Sequence, residues 1–300
     1  MGDTNKTPPE RKKIEELVQR YQREPSILDV FVEGRSDAAL LKKFINTQQL
    51  KDVVVYEIST VEISASALAD AGQPDAVRGR VIYLALEFEK SLPSTSNAVS
   101  CVADRDYDLV LERAYASPFL FFVDYCSVEM YAFDASVMDN ILAAIAPTIG
   151  KSGAQVLKEL EPMLRRLFLI RAANIALGFN MKWLRTIEDS CALRRGMVQF
   201  DEKDFIERYL GKNARLADIE RFTKKVAELE TRAAGDARLF IRGHDFAQLL
   251  SWYLKEHSSK TSPLYKLEVV EQLMLAHLET SVLAKHKFFV DLTRRTTGLQ

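Results

Sequence analysis

The feature that most constrains this chain is an alternation, through its first half, of short apolar runs with longer stretches of helical spacing. Residues 27–32, 53–58, 98–103 and 119–123 are brief, apolar and rich in β-branched or aromatic side chains, the composition of strands buried on both faces. Residues 36–45, with Ala39, Leu40, Leu41, Phe44 and Ile45, and residues 74–90, with Val77, Val81, Ile82, Leu84, Ala85 and Phe88, carry apolar side chains at helical intervals. Strand and helix alternating in this way build an α/β fold whose sheet is mainly parallel and flanked by helices. Ligands of such sheets gather at the carboxyl ends of the strands.

Before the first strand, residues 12–23 present Ile14, Leu17, Val18 and Tyr21 on one helical face, and Pro25 ends the run. Beyond Asp134 the pattern becomes largely helical: 135–146, 155–188, 202–210, 216–233, 245–257 and 264–284. The expected organisation is therefore an N-terminal polar segment and helix over 1–26, an α/β domain over 27–133, and a helical region over 134–300 that packs back on the sheet through 239–256.

Acidic residues stand where two separate apolar runs stop. One is Val30-Phe31-Val32-Glu33-Gly34-Arg35-Ser36-Asp37; the other is Cys101-Val102-Ala103-Asp104-Arg105-Asp106-Tyr107-Asp108. In a parallel sheet both fall on one edge. Asp104 and Asp106, two apart in extended chain, point to the same side. Carboxylates about 4 Å apart repel by roughly 4 kcal/mol at an effective dielectric of about 20, so a cation is expected between them. Oxygen ligands without His or Cys select Mg²⁺, or Mn²⁺, over Zn²⁺, and such an ion stabilises charge on a phosphoryl group during in-line displacement. Gly34 is expected to permit a tight turn beside Glu33. Asp37 falls in the first turn of the following helix, where capping competes with a metal role.

The pairing of Val32-Glu33-Gly34-x-x-Asp37 with Ala103-Asp104-Arg105-Asp106 resembles the TOPRIM signature of topoisomerases, primases and OLD-family nucleases. The resemblance implies a TOPRIM-like sheet, with Glu33 as general acid/base or metal ligand and the two aspartates as metal ligands. Tyr125-Cys126-Ser127-Val128-Glu129-Met130-Tyr131 is similar to the S-x-E-x-Y segment of a TOPRIM subgroup that includes the AriB-type effectors of PARIS antiphage systems. Arg242-Gly243-His244-Asp245 resembles that subgroup's G-K-D element, with His244 in place of the lysine. Members are held by an ABC-type ATPase partner and, once released by a phage trigger, cleave nucleic acid, tRNA in the PARIS case. Glu129, after the fourth apolar run, is assigned as a further metal ligand or its support, with a surface acid as the plain alternative.

A basic stripe runs through Arg165, Arg166, Arg171, Lys182, Arg185, Arg194 and Arg195, with Phe168, Phe179 and Trp183 interleaved. It suits a nucleic-acid backbone, as does Arg105, although aromatics at that spacing also suit a core. Gly150-Lys151-Ser152 lacks the first glycine of a P-loop, Ile145 standing in its place, and His244, His257, His277 and His286 show no zinc spacing. The face of residues 264–289 fits packing on the core or on a partner.

The 41 basic and 42 acidic side chains nearly cancel, so any anionic partner must meet a local patch. Three cysteines without C-x-x-C spacing, a polar opening segment without a signal-like run, and no apolar stretch of bilayer length point to a cytoplasmic protein outside the membrane. The expected activity is Mg²⁺-dependent endonucleolytic cleavage of nucleic acid, tRNA or DNA, with a homodimer also compatible. Two other readings stand beside it: a HAD-type phosphatase or phosphotransferase using Asp104 as nucleophile, and a non-catalytic module that docks on the ATPase.

Overall fold

The computed structural model of the chain describes residues 11–258 and 262–297. Most of the polar opening segment, residues 1–10, lies outside them. In chain order the elements are α1 (Ile14–Arg23), β1 (Leu28–Val32), α2 (Arg35–Thr47), β2 (Val53–Glu57), α3 (Ala65–Asp70), α4 (Val77–Ser91) and β3 (Val99–Ala103). There follow α5 (Asp108–Leu111), β4 (Leu120–Phe122), α6 (Ala135–Ile145), α7 (Gly153–Ala176), β5 (Cys191–Arg194), β6 (Met197–Phe200) and α8 (Glu202–Lys212). The chain ends with α9 (Ile219–Glu230), α10 (Gly243–His257), α11 (Leu267–Ala276), α12 (Thr280–Leu283) and α13 (Lys287–Thr297). It divides into two compact units: the described residues up to Asp104, with 115–123 and those from Thr280 on, and a second unit of 105–114 and 124–279.

The first unit is an α/β fold around a four-stranded, all-parallel sheet in the order β2-β1-β3-β4. All five residues of β1 and all five of β3 are buried, which is why these strands read as unbroken apolar runs. Phe31, Cys101 and Ala103 join Leu17 and Tyr21 of α1 and Val81, Ile82, Ala85 and Phe88 of α4 in one apolar cluster. Each large side chain buried there contributes about 1.5–3 kcal/mol. By strand alternation Val30, Val32 and Val102 face the other way and are buried too. Helices α2 and α13 pack together outside the cluster, with the rings of Phe44 and Phe289 4.6 Å apart. Late in the chain, α12 and α13 belong to the sheet unit, and residues 239–256 to the second unit.

The second unit is helical apart from one hairpin. The helix expected over 155–188 stops at Ala176, because Gly178 and Asn180 take left-handed conformations (φ 63° and 52°) that end it. The antiparallel pair β5–β6 then turns through Arg195 and Gly196, both at positive φ (54° and 76°), the backbone of a tight hairpin turn. Ser152 caps α7 through Gln155 N–H, and Lys151 is tied to Glu159 at 2.8 Å, so Gly-Lys-Ser here is a helix start. The single helix expected over 264–284 is interrupted after Ala276, and α13 follows as a further helix. Among the described residues no helix is long and apolar enough to cross a membrane.

Candidate functional site

Strand register brings the first pair of acids together within the sheet unit. Phe31 of β1 lies opposite Cys101 of β3, so Glu33, two residues on, arrives at the level of Ala103, where β3 ends. There the Glu33 carboxylate (Oε1) accepts a hydrogen bond from the main-chain N–H of Asp104 at 2.9 Å. Both residues are partly buried, so the carboxylate is fixed and still reachable. Charge-assisted bonds of this kind are shorter and stronger than neutral ones.

Asp37 closes the turn between β1 and α2, its Oδ2 accepting from Gly34 N–H at 2.8 Å. This is the capping role. Gly34 itself is extended (φ −153°, ψ −169°), and a Cβ there would meet nothing closer than 3.9 Å. The turn therefore does not depend on glycine, contrary to the expectation.

Two residues near this edge were passed over in the sequence. Arg78, in the first turn of α4, donates through Nε to the Asp104 carbonyl at 2.8 Å and lies over the rings of Tyr115 and Phe122. Nothing in its local sequence marks it, since the helix and the β3 end meet only in the fold. Glu57 ends β2 opposite Val32, and the same signal that marks Glu33, an acid closing an apolar run, marks it too.

Asp106 and Glu129 belong to the second unit, where the remaining motifs assemble. Asp106 adopts the left-handed conformation (φ 45°); its N–H donates to the Cys126 carbonyl at 3.0 Å. That bond joins the loop after β3 to the S-x-E-x-Y segment. Within the segment Ser127 Oγ donates to Glu129 Oε2 at 2.6 Å, and Tyr131 OH donates to Asp124 Oδ2 at 2.7 Å. Burial, with the Asp124 charge, raises the Tyr131 pKa well above the usual phenol range, so it stays a donor. Gly243, at the start of α10, is where glycine is required: a Cβ would fall 2.5 Å from both Cβ and Oε2 of Glu129.

Arg242 and Asp245, close to Gly243 in the chain, carry charge. Burial alone would lower the Arg242 pKa, but its surroundings, Tyr107, Asp245 and Asp106 foremost, hold it above its ordinary value. Asp245, 1% exposed, makes a two-pronged ion pair with Arg171, at 2.7 and 2.6 Å. His244 points elsewhere, pairing through Nδ1 with Glu271 at 2.8 Å.

The expected basic stripe is corrected by these partners. Arg171 serves Asp245 and lies 3.6 Å over the Trp183 ring. Arg166 bridges Glu202 and Glu230, and Arg165 binds Glu161 and the carbonyls of Ala233 and Gly235. Phe168 is fully buried. On a helix that packs along most of its length, cations find acids inside the fold and aromatics find the core, so no continuous solvent-facing stripe forms. Lys182 and Arg185 are exposed and Arg105 is partly buried.

The acids at the sheet edge and in the Asp106–Glu129 segment offer oxygen donors only, a set suited in chemistry to a hard divalent cation. Among the described residues, however, no group of three or more His, Cys, Asp or Glu side chains is arranged to hold a metal ion. The chain matches no protein-family model and is similar to no curated protein.

Proposed function

We propose that the chain is a TOPRIM-type, Mg²⁺- or Mn²⁺-dependent endonuclease. The observation that carries the reading is the Glu33 carboxylate held on the Asp104 main chain, which puts acids from two neighbouring parallel strands at one sheet edge. Mg²⁺ usually takes only one or two protein carboxylates and completes its shell with water and substrate phosphate, so two partly exposed acids suffice as its anchor. Glu33 and Asp104, both of the sheet unit, would hold the ion. Bound there, the cation supplies Lewis acidity to a phosphoryl oxygen and offsets the charge of in-line displacement.

The chain's own groups do the rest. Glu33, oriented by the Asp104 N–H, takes the proton of the attacking water or returns one to the leaving oxygen. Arg78 fixes the Asp104 main chain from the other side and brings a cation toward the edge where phosphate charge must be met. A nucleic-acid substrate, tRNA favoured over DNA, and restraint by an ABC-type ATPase in antiphage defence follow from the resemblance of the Glu33, Asp104-Arg105-Asp106 and S-x-E-x-Y motifs. The HAD-type alternative has no role for Glu33, and the Glu33–Asp104 contact favours the nuclease.

The test is incubation of the purified chain with tRNA and with plasmid DNA, with Mg²⁺, with Mn²⁺ and with EDTA. Cleavage that requires the cation and drops by about 10²–10⁴ in Glu33→Gln and Asp104→Asn is the expected result. Products unchanged in Glu33→Gln, or a phospho-aspartate at Asp104, would overturn the proposal.

A further inference from the structure

The opposite edge of the same sheet holds a cavity of about 670 Å³, formed where β1, β2 and β3 begin. It is lined by Gln48, Lys51, Asp52, Asn97 and Arg295 among others, all within the sheet unit. Arg295 comes from α13, near the end of the described chain, and lies over the Phe121 ring of β4, 5.0 Å from its centre. Its Nη2 donates to the carbonyls of Ser96 and Val99 at 2.7 and 2.9 Å. Its Nε is buried with no hydrogen-bond partner, and among the described residues no carboxylate pairs with it. Burial pushes its pKa down to about 10, so the guanidinium remains charged at neutral pH.

A buried charge without a counter-ion is costly unless something pairs with it. Here a half-buried guanidinium, met by main-chain carbonyls and a ring but by no counter-ion among the described residues, stands at the wall of an opening large enough for a small metabolite. The lining adds Lys51 as a second cation, against the single carboxylate of Asp52, which is exposed to solvent. Amides from Asn97 and Gln48 supply neutral donors and acceptors around the same space.

We propose that this cavity binds a small molecule bearing an oxyanion, a phosphate or a carboxylate, with Arg295 as its charge partner. The site is separate from the acidic edge that the nuclease reading uses, and it requires no divalent ion.

Calorimetric titration of the full chain in buffer freed of divalent ions over a chelating resin, with pyrophosphate in one arm and citrate in the other, tests this and distinguishes the two anion chemistries. Saturable binding in either arm, weakened about tenfold or more in Arg295→Gln and unchanged in Glu33→Gln, is expected. Lys51→Glu, a rim substitution that leaves the core untouched, should weaken it by about threefold or more. Absence of binding in both arms overturns the proposal, as does wild-type affinity in Arg295→Gln. Should Arg295→Gln fail to fold, wild-type affinity in Lys51→Glu overturns it instead.

Discussion

The two units place their charges differently. In the sheet unit, Glu33, Asp104 and Glu57 stand at the ends of strands, while β1 and β3 between them are fully buried. In the helical unit, charge is carried inward in pairs: Arg171 with Asp245, Arg166 with Glu202, Lys151 with Glu159. A parallel sheet has its loops at its edges, so polar chemistry there costs nothing in packing. Helices packed on several sides have no such edge, and their charges must find partners within. Acids at the sheet edge thus stay partly exposed, whereas those of the helical unit mostly hold the fold.

The strongest way to break this contrast is Asp245→Ala. It strands Arg171, 13% exposed, and should cost about 3–5 kcal/mol in chemical denaturation. Adding Arg171→Met should recover much of that loss. Glu33→Gln, by comparison, should change stability by less than about 1 kcal/mol, since the amide oxygen still accepts from Asp104 N–H. Equal losses in Asp245→Ala and Glu33→Gln would erase the distinction.

Two glycines sharpen it further. Gly243→Ala drives a methyl group against Glu129 and should cost about 1–3 kcal/mol. Gly34→Ala, in extended backbone with open space around it, should leave the unfolding midpoint almost unmoved. The reverse order would mean that the turn after β1 is the tighter of the two.

The smallest effect concerns the exception within the sheet. Asp29 is buried inside β1; Arg20 and Tyr21 bond its Oδ2 at 2.8 and 3.1 Å, and its Oδ1 has no partner. Burial raises its pKa, with Arg20 opposing. A carboxyl whose folded pKa is raised binds more protons folded than unfolded, so stability rises as pH falls from above that pKa toward the ordinary carboxylate value. Wild type should therefore gain stability relative to Asp29→Asn on acidification through this window. A gain in the opposite direction would show that the Arg20 pair outweighs burial.

Much of the sheet unit was legible because its signals are local. Val30-Phe31-Val32 and Cys101-Val102-Ala103 are recognisable as buried strands by composition, and Glu33 and Asp104 by ending them. The hairpin at 191–200 escaped notice, although Arg195-Gly196 between two short alternating runs carried its signal. The stop of α7 at Ala176 was likewise signalled by Gly178. The partners of Arg165, Arg166 and Arg171 carried no such mark, since Glu202 and Asp245 lie tens of residues away and only packing selects them.

The sequence by itself determined a parallel sheet and the strand ends at which acids would appear, because strand periodicity and chain direction are properties of neighbouring residues. Only the tertiary structure decided that Glu33 would rest on the Asp104 main chain, that Arg78 would approach from α4, and that Arg171 would be closed against Asp245. Those outcomes depend on register and on helix packing, where residues distant in the chain compete for the same space and the same hydrogen bonds.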